Sequence, residues 1–280
     1  MQSESKQREH DTWNLVAEGW RKNDASLATS YRGVTERMLQ LAKVGAGARV
    51  LDVASGTGEP AIPAAEQVGP NGYVLGTDFV EEMLVVARDK AKRRRLGNVE
   101  FRRVDAEELS VDAGAFDAAL LRWGLMFMPD PIACLRQLHR ALRTGGRVAV
   151  ACWASPEKNP WVAAPLAAVK KRVDVPPPPP GAPGLFAFAD PARLTSALVA
   201  AGFVDVAVEE VVANSPPATS GRAHLAWVCE LADPLARLAS LLTPAQRAEV
   251  EVELDLALER HRVGSHLTIP GATLIAHGHK

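Results

Sequence analysis

The chain has 280 residues, of which 47% are hydrophobic and 23% are charged, and this composition excludes a disordered chain. Its 32 Lys and Arg residues balance 33 Asp and Glu residues, which excludes a general attraction to nucleic acid or to an anionic membrane surface. Three widely spaced cysteines exclude a disulfide scaffold and a CxxC metal site.

The hydrophobic residues do not form a membrane-spanning segment, because no run approaches the roughly 20 apolar residues that a spanning helix needs. The first ten residues are polar and charged, unlike a secretory signal. We therefore expect a cytoplasmic globular protein with no membrane span and no nucleic-acid partner. Its length suits two domains or one α/β domain with an added cap. The oligomeric state stays open, and a homodimer is one option.

The first half of the chain alternates helical patterns with short apolar runs. Trp13, Val16, Ala17 and Trp20 recur at helical spacing. Strands are predicted at 49–53, 73–77, 99–104, 116–121 and 147–153, and helices at 59–68, 81–96 and 132–143. This alternation predicts parallel βαβ units in a doubly wound sheet, whose ligands bind at the carboxyl ends of the strands.

The second half has a looser pattern. A helix at 161–173 is followed by five prolines at 176–180, which we interpret as a stiff linker. Further helices are predicted at 190–201, 220–242 and 243–261, and strands at 203–212 and 267–276. A basic stretch at 88–95 is interpreted as a solvated helix face, because no aromatic residues interleave it.

A glycine-rich turn follows the first strand, in the segment VLDVASGTGEP at 50–60. Glycines there allow the backbone to approach a ligand closely. Gly56 to Ala61 also matches the G-x-G-x-x-A dinucleotide fingerprint, which alone is a weak signal. The turn therefore leaves open an NAD(P) site, another nucleotide site and a tight turn without a ligand.

Acidic residues stand at the ends of three successive strands. A pyrophosphate would gain nothing from Asp52 just before the loop, whereas a ligand with an ammonium and a sulfonium group would. Asp78 lies about 20 residues after Gly58, a spacing that suits a carboxylate accepting from ribose hydroxyls. Asp105 ends the next strand, where it can accept from an exocyclic amine. Asp52 and Asp105 therefore argue against the NAD(P) alternative.

The chain resembles the class I S-adenosylmethionine-dependent methyltransferases, and within them the ubiquinone/menaquinone-biosynthesis C-methyltransferase (methyltransferase type 11) branch. Five segments carry the resemblance, in the family's order: VLDVASGTGEP (50–60), GTDFVEEML (76–84), VEFRRVDAEEL (99–109), FDAALLRWGLMFMPDP (116–131) and LRTGGRVAVACW (142–153). The resemblance covers roughly residues 45–160. It implies an α/β fold, a doubly wound Rossmann-like sheet of seven mostly parallel strands with an antiparallel last strand and a helical cap.

The resemblance also implies the residues that would bind S-adenosylmethionine. The loop backbone, Asp52 and Arg122 would border the methionine part, Asp78 would bind both ribose hydroxyls, and the remaining residues would surround the adenine. The implied set is Asp52, Ala54, Gly56, Gly58, Asp78, Phe79, Met83, Asp105, Ala106 and Arg122. Ala54 departs from the family, which most often has glycine at this position. No metal is expected.

The acceptor site is predicted less directly. Trp123, Met126, Phe127, Trp153 and Trp161 follow the fourth and fifth strands, where they can form an apolar pocket or simply pack in the core. A general base is needed only where the acceptor atom must lose a proton. The weak candidates are His10, in the N-terminal segment, and His224, in the inserted helices.

These observations predict methyl transfer from S-adenosylmethionine, with S-adenosylhomocysteine as the product, to a hydrophobic, aromatic or polyketide-like small molecule on oxygen or carbon, as in secondary metabolism. The alternatives are N-methylation of an amine or phospholipid headgroup, an NAD(P)-dependent oxidoreductase and a non-catalytic cofactor-binding protein. We expect residues 1–44 to form a lid. Residues 45–213 and 264–280 would form the cofactor domain, and 214–263 a helical insertion that contributes to the cap.

Overall fold

A computed structural model describes residues 2–175, 179 and 181–280, with the backbone alone for residues 2–6, 8 and 9. Most of the proline run interpreted as a linker lies outside the described residues. The strands are β1 (Arg49–Val53), β2 (Tyr73–Asp78), β3 (Val99–Arg103), β4 (Phe116–Arg122), β5 (Leu142–Trp153), β6 (Val204–Asn214), β7 (Arg262–Val263), β8 (His266–Leu267) and β9 (Pro270–His279). The helices are α1 (Gln2–Ser30), α2 (Arg32–Leu41), α3 (Ala61–Val68), α4 (Glu81–Arg93), α5 (Pro131–Ala141), α6 (Pro160–Lys170), α7 (Pro191–Ala200), α8 (Gly221–Leu231), α9 (Asp233–Ser240) and α10 (Pro244–Leu258).

Seven strands form one sheet in the order β3-β2-β1-β4-β5-β9-β6. The five strands from β3 to β5 are parallel, and β9 is antiparallel to both of its neighbours. The predicted fold class, a doubly wound and mostly parallel sheet with an antiparallel last strand, is confirmed. Strand order reverses between β1 and β4, so a crevice opens at the carboxyl ends of these two strands.

The central strands form because their residues are apolar on both faces. Val50, Leu51 and Val53 of β1 have no exposed surface, since helices cover the sheet on both sides. The edge strand β6 is exposed at alternate positions, as expected for a strand with one open side. The core therefore lies in the middle of the sheet, directly beneath the crevice.

Two helix boundaries in the first half differ from the prediction. The helix predicted from Glu59 begins at Ala61, because Pro60 precedes the helix instead of lying in its first turn. The helix predicted to reach Leu96 ends at Arg93, and Arg95 then takes a left-handed conformation with φ of 55°. A helix cannot continue through such a residue.

Two elements in the second half of the chain also differ from the prediction. The single helix predicted at 220–242 is two helices, α8 and α9, separated at Ala232, which has φ of −133° and ψ of 91°. Pro234 explains the break, because a proline cannot donate to the preceding turn and would clash with it. The predicted strand at 267–276 is divided between β8 and the longer β9.

Helix α1 packs against α4 on one side and against α8 and α9 on the other. Asn23 Nδ2 donates to Glu230 Oε2 at 2.8 Å, and Trp20 Nε1 donates to the carbonyl oxygen of Leu231 at 3.3 Å. Gly19 allows this approach, since a Cβ there would overlap the carbonyl oxygen of Glu230. Within the described ranges, no helix has the length and apolarity required to cross a membrane.

Candidate active site

A cleft lies at the carboxyl ends of β1, β2 and β4, beneath α1. It contains about 1070 Å³ of empty space when the open solvent at its mouth is counted. Backbone and polar side chains from the strand ends line one part of the cleft, and aromatic side chains line the other. The lining residues are Trp13, Trp20, Ala54, Ser55, Gly56, Thr57, Glu59, Asp78, Phe79, Val80, Met83, Val104, Asp105, Ala106, Glu107, Arg122, Trp123, Gly124, Phe127, Met128 and Pro129.

The glycine loop forms the floor of the cleft. Gly56 lines it with φ of 51°, a left-handed conformation that favours glycine. Gly58 has φ of 98° and lies behind the lining, where a Cβ would come within 2.9 Å of Ile62 Cγ1. Gly56 is therefore in a position to meet a ligand, whereas Gly58 allows the loop to pack closely on α3.

Ala54 takes a left-handed conformation, with φ of 55°, at the position where the family most often has glycine. Its Cβ faces Gly124, and a Cβ at position 124 would lie 2.5 Å from it. Gly124 thus leaves room for the methyl group of Ala54. Gly124, across the cleft floor, therefore accommodates an alanine at the position where the family most often has glycine.

Asp78 connects β2 to the glycine loop. Its Oδ2 accepts from the Gly56 amide at 2.9 Å, and its Oδ1 accepts from the Val80 amide at 3.0 Å. Burial raises the pKa of Asp78, and the amides of Val80, Gly56 and Phe79 oppose this shift. Each oxygen has a second lone pair that can accept from a ligand hydroxyl.

A second carboxylate stands at the end of the cleft next to β3. Asp105 Oδ1 accepts from the Glu107 amide at 2.9 Å and so caps the short 3-10 turn Ala106–Glu108. Phe79 and Met83 line the cleft together with Asp105 and Ala106. The four residues expected around an adenine therefore line a single cleft.

Asp52 and Arg122 occupy different depths. Asp52 has no exposed surface and does not line the cleft. Burial raises the pKa of its carboxyl group well above the usual range, and the Arg122 guanidinium opposes the shift. Arg122 lines the cleft, donates from Nη1 to Thr35 Oγ1 at 2.9 Å and lies 4.7 Å above the Trp123 ring. Of the two, Arg122 is the residue in a position to meet a ligand.

The predicted acceptor residues also lie at two depths. Trp123 and Phe127 line the cleft, whereas Met126, Trp153 and Trp161 are buried behind it. The Trp153 ring stacks on Trp123 with centroids 4.3 Å apart, and the Trp161 ring follows at 5.0 Å from Trp153. The buried residues thus support the lining and do not belong to it.

Sequence reasoning missed the aromatic roof of the cleft. Trp13 and Trp20 of α1 line it, and the Trp13 ring meets Phe127 edge-on at 5.1 Å. Seven residues separate the two tryptophans, which places them on the same helix face two turns apart. That spacing identified an apolar face, but nothing in it indicated that the face would cover a cleft.

Neither histidine considered as a base lines the cleft. His10 lies at its rim, with its ring 5.7 Å from Phe79 and its Nε2 3.3 Å from Arg103 Nη2. His224 has no exposed surface, and its Nε2 donates to the carbonyl oxygen of Trp161 at 2.6 Å. Burial lowers the pKa of His224 to about 4.

The ionisable side chains that do line the cleft, among the described residues, are Glu59, Asp78, Asp105, Glu107 and Arg122. The described part of the chain also contains no group of three or more His, Cys, Asp or Glu side chains that could hold a metal ion.

The chain is similar to methyltransferases over most of its length. The Methyltransferase domain family matches residues 45–172. Demethylmenaquinone methyltransferase from Listeria welshimeri is 39% identical over 123 residues, which are 44% of this chain and 52% of that protein. The chain thus spans about half the length of these curated relatives. Nocamycin O-methyltransferase from Saccharothrix syringae is 32% identical over 257 residues, covering 88% of this chain and 90% of that protein.

The fold is also similar to that of solved structures. The crystal structure of the cyclase SpnF matches with a TM-score of 0.59 and 21% identity, covering 96% of this chain and 94% of that one. This likeness shows the fold alone, because a shared fold does not determine the reaction. The sequence match to the Saccharothrix enzyme extends through the helices outside the sheet as well as the sheet itself. This match, the matched methyltransferase domain and the seven-stranded sheet together show that the chain belongs to the class I S-adenosylmethionine-dependent methyltransferases.

Proposed function

We propose that the protein transfers the methyl group of S-adenosylmethionine to a hydrophobic, aromatic or polyketide-like small molecule, on oxygen or carbon. The observation that supports this acceptor class is the aromatic part of the cleft, where Trp13, Trp20, Trp123 and Phe127 face the same space as the polar strand ends. The relative named nocamycin O-methyltransferase supports an oxygen acceptor. The relatives named demethylmenaquinone methyltransferase support a demethylmenaquinone-like one.

The cleft fits the parts of the cofactor. Asp78 would accept from the ribose hydroxyls, and Phe79 and Met83 offer apolar surface for the adenine beside Asp105 and Ala106. When bound, the cofactor supplies a methyl group that is already activated by its sulfonium. The residues around it have to hold the acceptor in line with that methyl group, and such positioning supplies much of the rate.

Trp13 and Trp20 of α1 form a roof over this space. Trp13 packs edge-on against Phe127, and α1 is held in place at Glu230 and Leu231 of α8. We therefore propose that residues 1–44 and 214–263 act together as a cap over residues 45–213 and 264–280. An apolar acceptor would enter beneath this cap, where its ring displaces poorly bound water.

The acceptor is expected to ionise by itself. The described cleft lining offers carboxylates but no imidazole, amine, thiol or phenol as a base. Ordinary carboxylates are weak bases at neutral pH, since their unperturbed pKa is about 4. An acceptor that is already ionised at the working pH, such as an acidic enol, needs only to be positioned.

Calorimetry with S-adenosylhomocysteine tests the cofactor half of the proposal. We expect binding that falls at least about 10-fold in Asp78→Asn, because the new amide group replaces one of the two accepting oxygens. Glu108→Gln, an acidic residue that does not line the cleft, is the control. The absence of binding at millimolar ligand would refute the cofactor assignment.

A transfer assay with quinols, phenols and polyketides tests the acceptor half. Trp13→Ala should raise KM for an aromatic acceptor about 10-fold or more, with a smaller change in the Kd of S-adenosylhomocysteine. Robust turnover of an amine, a protein or an RNA instead would contradict the proposed acceptor class. Cofactor binding without turnover of any acceptor would favour a non-catalytic binding protein.

A further inference from the structure

A buried carboxylate lines the cleft just after the glycine loop. Glu59 is a lining residue, yet its side chain is only 9% exposed. Lys90 Nζ of α4 lies 3.5 Å from Glu59 Oε1 and 2.8 Å from Asp24 Oδ1 of α1. Lys90 therefore holds the carboxylates of Glu59 and Asp24 in place. The reaction as proposed above makes no use of it.

Arg122 lies at the same end of the cleft. Both Glu59 and Arg122 line it, and the Ala54–Thr57 backbone lines it as well. Burial lowers the pKa of Arg122, and Glu59 opposes this shift more than any other acidic group does, which agrees with their shared place in the lining. The guanidinium donates to Thr35 Oγ1, which helps to fix it in place. A positive and a negative side chain therefore border one ligand space.

Asp52 is the other carboxylate near this end, and its placement differs. It has no exposed surface, and burial raises the pKa of its carboxyl group while Arg122 and the Ala61 amide oppose this shift. A ligand in the cleft reaches Glu59 without crossing the floor, whereas Asp52 lies beneath that floor. The family resemblance placed Asp52 at the methionine end together with Arg122 and the loop backbone, whereas the carboxylate that lines this end of the cleft is Glu59.

Resting on the proposed function, we propose that Glu59 and Arg122 form a clamp for the amino-acid end of the cofactor, with Glu59 receiving the α-ammonium group and Arg122 the α-carboxylate. The charges support this assignment. Asp24 and Glu59 balance Lys90 and Arg122, so a zwitterion with no net charge enters without leaving a buried charge uncompensated. A ligand with an amine alone would leave Arg122 unpaired.

The clamp makes the cleft selective for ligands that carry an amino acid. Methylthioadenosine has the same nucleoside but lacks the amino-acid group, and S-adenosylthiopropylamine has the amine without the carboxylate. We expect the wild-type protein to bind S-adenosylhomocysteine more tightly than S-adenosylthiopropylamine, and S-adenosylthiopropylamine more tightly than methylthioadenosine. This order requires no variant, so it tests the clamp even where a substitution prevents folding.

Calorimetry on Glu59→Gln and Arg122→Met tests which residue receives the α-ammonium group and which receives the α-carboxylate. Glu59→Gln should weaken S-adenosylhomocysteine and S-adenosylthiopropylamine by about 30-fold, the cost of removing one partner of a buried charge pair, and methylthioadenosine by less than about 3-fold. Arg122→Met should weaken S-adenosylhomocysteine by a similar factor and leave S-adenosylthiopropylamine almost unchanged. Glu107→Gln makes the same substitution elsewhere in the lining and should leave the ratio of the ligand affinities unaltered.

The outcomes separate the clamp from the proposed function. An equal loss for all three ligands in Glu59→Gln would show that Glu59 acts only through the fold, and no loss for any ligand would show that it makes no contact. Either result overturns the clamp and leaves the cofactor site standing. Equal binding of S-adenosylhomocysteine and methylthioadenosine by the wild-type protein does the same. Failure of the wild-type protein to bind any of the three overturns the clamp and the proposed function together.

Discussion

The contact between Ala54 and Gly124 predicts that two substitutions in the cleft floor are strongly coupled. A Cβ at position 124 would lie 2.5 Å from the Cβ of Ala54, a separation that real Cβ atoms do not show. The backbone of Gly124, with φ of −104° and ψ of −39°, is open to any residue. Gly124→Ala should therefore destabilise through overlap alone, by about 1–3 kcal/mol.

Removing the other methyl group should reverse this effect. Ala54→Gly relieves a left-handed conformation that costs about 1–2 kcal/mol in a residue with a Cβ. The added freedom of the unfolded chain offsets about 0.5–1 kcal/mol of that gain. In the Ala54→Gly background the new methyl group at position 124 has room, so its cost should fall to about zero. The coupling free energy is then about 1–3 kcal/mol.

Urea unfolding of the wild-type protein, both single variants and the double variant measures this coupling. Gly97→Ala is the matched control, because no described atom lies within 4 Å of the position of an added Cβ at Gly97. We expect its effect to stay within about 0.5 kcal/mol. If the two floor substitutions add to within about 0.5 kcal/mol, the overlap does not determine the stability of the floor and the reasoning fails.

Three further predictions concern buried charges and the acceptor. Lys90→Met should lower the free energy of unfolding by about 3–5 kcal/mol, because it removes the buried cation that lies beside Asp24 and Glu59. Arg94→Met, in an exposed pair, should cost less than about 1 kcal/mol, and chemical denaturation compares the two variants. Burial holds the pKa of His224 at about 4 against 6.5 when unfolded, so the unfolded chain binds the extra proton and stability falls as pH drops from 6.5 to 4. His224→Gln should reduce this loss of stability by about 3 kcal/mol. His266→Gln, at an exposed site, should leave the loss unchanged. Thermal unfolding across this pH range would contradict the burial argument if both variants behaved alike. The rate of methyl transfer should rise with pH at the acceptor's own pKa, and a midpoint that moves in His10→Ala would instead identify His10 as the base.

Local patterns in the sequence were sufficient for the sheet and for much of the cleft. The strands of a parallel sheet are buried on both faces, so each appears as a short apolar run that sequence reasoning locates easily. Parallel strands place their carboxyl ends at one edge, which is why Asp78, Asp105 and Arg122 line one cleft although they are far apart in the chain. The role of each in binding stays a prediction.

The tertiary structure alone decided how deep each side chain lies and which helix covers the cleft. Sequence spacing does not show that Asp52 lies beneath the floor while Glu59 lines the cleft, because the difference depends on how the loop turns over α3. Nor does it show that Trp13 and Trp20 cover the cleft, or that His224 is enclosed against Trp161. An amphipathic helix specifies that one face will be buried but not what it is buried against, and that partner is chosen by packing between elements distant in the chain.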